Sequence, residues 1–208
     1  MKRIIKAPKI NNYKITALGE FLMNYESDLL YIEGFQEMFK NPKIDIDFVC
    51  NKDGIFHQFL IEFKIVRNFK KSLQKDVFLL CRNYINKNLN NLSPDKLSDQ
   101  FKNKKSIGKR LLSLSSKVIA FYDSENYIPM DSLNRKAINS KIYTYKNFNL
   151  AVEEMKKDSN FMLQIKQMDA IVAPLVKDFE HLSGLKGYNF KKIRQNRLID
   201  KLLRIQHK

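Results

Sequence analysis

Side chains able to do chemistry gather in two stretches of this 208-residue chain. The first is LLSLSSKVIAFYDSENYIPMDSLNRKAI, residues 111–138, in which Lys117 precedes Asp131 by about four helical turns' worth of chain. A lysine desolvated at a helix start loses part of its preference for the charged form, and its amine becomes available as a nucleophile. A carboxylate beside it can stabilise developing positive charge and move protons. Both residues also have plainer readings: Lys117 is one of 38 basic residues, and an Asp after Pro129 and ahead of a helical run is what an N-cap requires. The second stretch is 44–64, with Asp47 followed by Glu62-Phe63-Lys64. Folded as a hairpin, it puts two carboxylates on adjacent strands and Lys64 on the same strand face as Glu62. Folded as a helix, it points Glu62 and Lys64 in different directions.

The elements that would position these residues read mostly as helices. Leu18, Phe21, Leu22, Tyr25, Leu29, Ile32 and Phe35 recur at helical spacing over 17–40, and Asn41-Pro42 ends the run. Val77, Leu80, Cys81, Tyr84 and Ile85 predict a helix over 73–86. Ser93-Pro94-Asp95 is a helix start with serine at the cap and proline at the first position. Residues 104–120 are basic and then apolar, with Lys117 near the start of that helix, and Asp131-Ser132 caps a helix through Asn139. Two more helices are expected over about 147–156 and 190–205, with softer joints near 86–105 and 156–190. Residues 43–63 read two ways. Ile44, Ile46 and Phe48 alternate with Asp45 and Asp47, and Asn51-Lys52-Asp53-Gly54 looks like a hairpin turn. Phe56, Phe59, Leu60, Phe63, Val66 and Phe69 instead form a helical stripe.

Residues 70–140 resemble the core of the helix-hairpin-helix DNA glycosylase superfamily, in which a hairpin and a lysine precede a helix, then a Pro-x-Asp loop and a helix carrying Arg or Lys. They are more similar still to a group of uncharacterised bacterial proteins with a Ser-Lys, aromatic, Tyr/Phe-Pro-Ile-x-Asp-Ser pattern, matched here by Ser116, Lys117, Phe121, Tyr127, Pro129, Asp131 and Ser132. The closing NRLIDKLLRIQHK is similar to their Asp-containing last helix. The resemblance implies a glycosylase-like helical fold; the helical tally and the absence of any repeat, Gly/Ser linker or low-complexity tract point to one mainly α domain over 1–208, with or without a small β-hairpin near 44–63. The resemblance also implies a catalytic role for Lys117, attacking sugar C1′ to form a Schiff base, and for Asp131, stabilising the oxocarbenium-like sugar. No cofactor is called for. DNA contacts would come from Lys105, Lys109 and Arg110 ahead of the lysine, from Ser115, Ser116 and Arg135 around it, and from Lys191, Lys192, Arg194 and Arg197 on the last helix. The glycosylase hairpin usually has a Gly-x-Gly turn, where this chain has Ser113-Leu114-Ser115-Ser116. Phe121 and Tyr127 read as core rather than as base-stacking platforms.

The alternative resemblance is to the PD-(D/E)xK nuclease motif, at Asp47, Glu62 and Lys64, with an α/β fold. It implies Mg²⁺ held by the two carboxylates and a water oriented by the lysine, with Glu20 and Gln74 in supporting positions. A third reading is a non-catalytic DNA-binding module.

Composition favours a polyanion under any of these readings. The chain carries 38 Lys+Arg against 22 Asp+Glu, a net charge of +16, which is tolerated best where a polyanion binds through counterion release. Cys50 and Cys81 sit among apolar neighbours and read as reduced core thiols of a cytoplasmic protein. His57, His181 and His207 are too scattered for a zinc site. The basic amino terminus lacks the apolar core of a signal peptide, and no run of about 18 apolar residues suggests a membrane span.

Overall fold

The computed structural model describes residues 13–65, 69–139 and 141–206. The basic amino-terminal stretch 1–12, Val66 of the helical stripe and His207 lie outside them. Every regular element among the described residues is helical: α1 (Lys14–Lys40), α2 (Ile46–Cys50), α3 (Ile55–Glu62), a 3₁₀ turn (Lys71–Leu73), α4 (Gln74–Lys87), α5 (Pro94–Asn103), α6 (Leu112–Tyr122), α7 (Ser132–Ile138), α8 (Tyr145–Lys156), α9 (Ser159–Leu182) and α10 (Phe190–Ile205). The fold is therefore mainly α. No described helix is long and apolar enough to cross a membrane.

Local chemistry accounts for most of the helix boundaries. Ser93 caps α5, Asp131 caps α7, Thr144 caps α8 and Asp158 caps α9, each accepting from backbone N–H groups of the first turn. Residues 44–63 form helices α2 and α3, so the hairpin and the α/β alternative built on it are overturned. Asp45, which mimics the polar position of a strand, is the N-cap of α2, its Oδ1 accepting from the amides of Asp47 and Phe48. The Asn51–Gly54 turn does form, but it joins two helices, and a Cβ at Gly54 would collide with the backbone of Phe48 and Val49. Phe56, Phe59 and Leu60 are fully buried one helical turn apart, and that burial decides the period, at roughly 1.5–3 kcal/mol for each large side chain. The joint expected over 156–190 is instead the 24-residue α9, which passes through Pro174 and packs Phe161, Ile165, Met168, Val172 and Val176 inward.

Helices α1 and α10 form the centre, with α9, α7 and α6 around them. One apolar cluster runs through all of these elements. An aromatic nucleus joins α1, α3 and α6, in which Phe35 and Phe59 meet edge to face at 4.7 Å and Phe121 lies 5.4 Å from Phe59. Phe121 is thus core, as read from the sequence. Cys50 and Cys81 are both buried, and burial pushes the Cys50 thiol up to about 12.

Two helices are enclosed almost all round. Every residue of α6 from Leu114 to Tyr122 is buried, and α10 buries Arg194, Arg197, Asp200 and Lys201 along with its apolar positions. Lys117 of α6 and these four charged side chains of α10 therefore lie inside the molecule, while Lys191 and Lys192 at the start of α10 are exposed.

Candidate functional site

Lys117 is the sixth of the eleven residues of α6, in its middle rather than near its start. It is 6% exposed. Its Nζ donates to Ser113 Oγ, one turn back, at 3.2 Å and stands 3.9 Å from Asp131 Oδ2. The Phe63 ring lies 5.9 Å away on another side. Burial holds the amine below its ordinary lysine range, against the upward pull of Asp131 and Asp200 and with help from Arg204 and Arg197.

Asp131 splits its carboxylate between two tasks. Oδ1 accepts from the Leu133 and Asn134 amides at 2.9 Å each, capping α7. Oδ2 faces Lys117 and, at 3.8 Å, Arg204 Nε. The N-cap reading holds through one oxygen, and the other oxygen faces the two cations.

Ser116 fixes the spacing between the two elements. Its hydroxyl donates to Met130 O at 2.9 Å and accepts from Met130 N at 3.1 Å, clasping the Pro129-Met130-Asp131 loop against α6. The loop is held from the other side by Asn134, whose Nδ2 reaches Pro129 O at 2.8 Å and Asp200 Oδ1 of α10 at 2.6 Å. The tail thus reaches the loop through Asp200.

These groups border a cavity of about 450 Å³, within the size range of small-ligand sites. Its wall includes Lys117, Ser113 and Asp131, then Lys201 and Arg204 of α10, Asp28 of α1, and Glu62, Phe63 and Lys64 from the end of α3. The two constellations legible in the sequence therefore share one cavity, apart from Asp47. That residue is exposed on α2 and ion-pairs with Lys75, so the Asp47, Glu62 and Lys64 convergence does not form. Glu62 accepts from Tyr31 Oη at 2.6 Å, and Gln74 is buried, bridging His57 and the Cys50 carbonyl. Among the described residues no group of three His, Cys, Asp or Glu side chains could hold a metal ion.

No protein-family model, curated protein or solved structure matches this chain.

Lys64 has an unusual backbone. It is the non-glycine residue with positive φ, at 55°, among the described residues. It occupies the C′ position of a Schellman motif, with its own amide bonded to Ile61 O at 2.9 Å and the Ile65 amide to Leu60 O at 2.7 Å. Glycine is the usual occupant there; the lysine in its place is exposed and lines the cavity.

The remaining expected DNA contacts divide by exposure. Lys105, Lys109 and Lys191 are exposed, as is Lys192, which reaches Asn126 Oδ1 at 3.2 Å. Arg110 lies on Asp99 at 2.8 Å, and Arg135 is half-buried, 5.6 Å from the Tyr143 ring centroid. Ser115 and Ser116 are fully buried with their hydroxyls bonded to Leu111 O and to Met130, so they offer no surface to DNA. Arg194 and Arg197 are buried too. Arg194 bonds Asp169 at 2.6 Å and Glu180 at 2.8 Å, while Arg197 bonds Asp28 at 2.6 Å and stacks 4.1 Å from the Phe121 centroid. The expected basic face of α10 is thus reduced to Lys191 and Lys192 at its outer start. Sequence reading also passed over Asp28 and Lys201. Their signal was present: Asp28 falls on the apolar stripe of α1, and Lys201 lies at i+7 from Arg194, on the face of α10 that also carries Leu198 and Leu202.

Proposed function

We propose that the protein binds DNA and presents Lys117 as an amine nucleophile to C1′ of a deoxyribose, acting as a DNA glycosylase or abasic-site lyase. The observation that carries this reading is a buried lysine, held below its ordinary protonation range, on the wall of a cavity and facing a single carboxylate oxygen. Such a site suits an amine that must be partly neutral to react. At an abasic sugar the amine adds to the aldehyde carbon, the C–N bond forms, and the carbonyl oxygen leaves as water, giving an imine. At an intact nucleotide the C–N bond forms as the glycosidic bond breaks, and the base departs with the bonding electrons. Asp131 Oδ2 takes the proton released from the amine and stabilises positive charge on the sugar in either case. The net charge of +16 supports a polyanionic partner, and a cavity this size accepts a nucleotide turned out of the helix.

Borohydride added to the protein with DNA containing abasic sites should reduce the imine and leave a covalent protein–DNA product without any metal. Lys117→Gln should lose that product and keep salt-dependent DNA binding. Binding that persists in the wild-type protein with no product on damaged or undamaged DNA would reduce the protein to a DNA-binding scaffold.

A further inference from the structure

The cationic face of α10 changes character along its length. Arg194, Arg197, Lys201 and Arg204 follow at i, i+3, i+7 and i+10, all on one side of the helix. Acids match the first two: Asp169 and Glu180 hold Arg194, and Asp28 holds Arg197. The third has no such match. Lys201 is 3% exposed, borders the cavity, and among the described residues has neither an ion pair nor a hydrogen bond. Arg204 is only half-matched, since its Nε stays 3.8 Å from Asp131 and makes no hydrogen bond. Lys64 contributes a third cation to the wall from its left-handed position. The stem of Lys201 is thus buried while its ammonium opens onto the cavity with no counter-ion, and natural structures normally pair such a charge. The missing partner is an anion that enters the cavity.

We propose that Lys201, Arg204 and Lys64 form a phosphate subsite, which holds a sugar phosphate so that its C1 lies at Lys117. This deepens the nucleophile reading and rests on it for the position of the sugar. A phosphate oxygen accepts from an ammonium and a guanidinium together, and charge-assisted bonds of this kind are the strong ones. The Lys117 side of the cavity then receives the sugar, with Asp131 beside it.

A small probe that carries both groups on the sugar in question is 2-deoxyribose 5-phosphate, whose open form has an aldehyde and a phosphate. Its imine with Lys117 forms with loss of water, and borohydride supplies the hydride for reduction to a secondary amine. The protein gains the mass of the sugar phosphate less one oxygen. At equal low concentration it should be trapped roughly tenfold more than 2-deoxyribose, and inorganic phosphate should compete. Lys201→Met should bring it down to the level of the unphosphorylated sugar, with Arg204→Gln as a second variant. Equal trapping of the two sugars would overturn the subsite and leave the nucleophile standing. Thermal melting gives a readout that needs no reaction. Sugar phosphate should raise the melting temperature of the wild-type protein saturably and leave Lys201→Met unmoved. Without ligand, Lys201→Met should melt no lower than wild type, since the lysine it replaces has no ion pair to lose. If neither sugar is trapped, the nucleophile reading fails, and the melting shift alone decides the subsite: a shift lost in Lys201→Met supports it, and no shift rejects it.

Discussion

Lys117 Nζ and Asp131 Oδ2 face each other at 3.9 Å, while the other Asp131 oxygen caps α7. Structure and chemistry are therefore separable in one side chain. Asp131→Asn keeps an oxygen for the cap, and asparagine caps about as well as aspartate. Trapping at abasic sites should slow about tenfold or more, and the stability lost in urea should be that of leaving buried Lys117 without its carboxylate, largest at low pH and fading as pH climbs toward the ordinary lysine range. Asp131→Ala should lose about 1 kcal/mol more through the cap. A stability loss in Asp131→Asn that does not depend on pH would show that the carboxylate holds the fold by a contact other than Lys117.

Ser116 sets the distance across which that pair meets. Ser116→Ala leaves the buried Met130 amide without its acceptor, and the cost should be about 1–3 kcal/mol by urea unfolding. Trapping by the folded variant should fall too, because the Pro129–Asp131 loop is no longer clasped to α6. Unchanged trapping would mean that Asn134 alone positions the loop.

Lys64 holds a conformation that favours glycine. Lys64→Gly should raise stability, or leave it unchanged, by relief of about 1 kcal/mol of left-handed strain offset in part by glycine's entropy. The same change should weaken binding of sugar phosphate. A destabilised variant would indicate that the lysine stem packs a structural contact.

The Lys117 amine gives stability a pH dependence of known sign. Burial lowers its folded-state value below that of the unfolded chain. Between the two values the unfolded state binds more protons, so stability rises with pH across that window. Below it the whole cost of burying the charge is present. Lys117→Met should therefore exceed wild type in stability most at low pH, and the gap should narrow as pH climbs toward the ordinary lysine range. Urea unfolding of both proteins over that range measures this, and a gap independent of pH would contradict it.

The cations of α10 predict two opposite outcomes. Lys191 and Lys192 are exposed. Replacing both with Gln should cost under about 0.5 kcal/mol and lower the salt slope of DNA binding by roughly 2. Arg197→Gln strands Asp28 in the interior and should cost about 3–5 kcal/mol. A gel-shift salt titration beside urea unfolding separates the two.

Much of this was legible in the sequence, in proportion to how local its causes are. Apolar spacing and caps foretold α1, α4, α5, α7 and α10, and the Pro129-Met130-Asp131 loop with its lysine was visible as a pattern. Residues 44–63 misled because Asp45 and Asp47 alternate with apolar neighbours as in a strand, while the tie that decides, Asp45 capping α2, looks the same on paper. Helix α9 lay in a stretch read as a soft joint, and tertiary packing of its apolar stripe carries it through Pro174. Arg194 and Arg197 read as part of a DNA-binding face because the carboxylates that bury them arrive from α9 and α1, far away in the chain. Lys201 showed itself only by its place at i+7 from Arg194, on the inward face of α10, and its burial is what marks it out.

Whether the Lys117 amine is the nucleophile is read most directly from the peptide map of the protein after borohydride trapping on an abasic-site oligonucleotide. The reduced sugar adduct should lie on the peptide containing Lys117, form in the presence of chelator and be slowed in Asp131→Asn. An adduct on Lys201, on Lys64 or on the amino terminus, with Lys117 unmodified, would contradict that role.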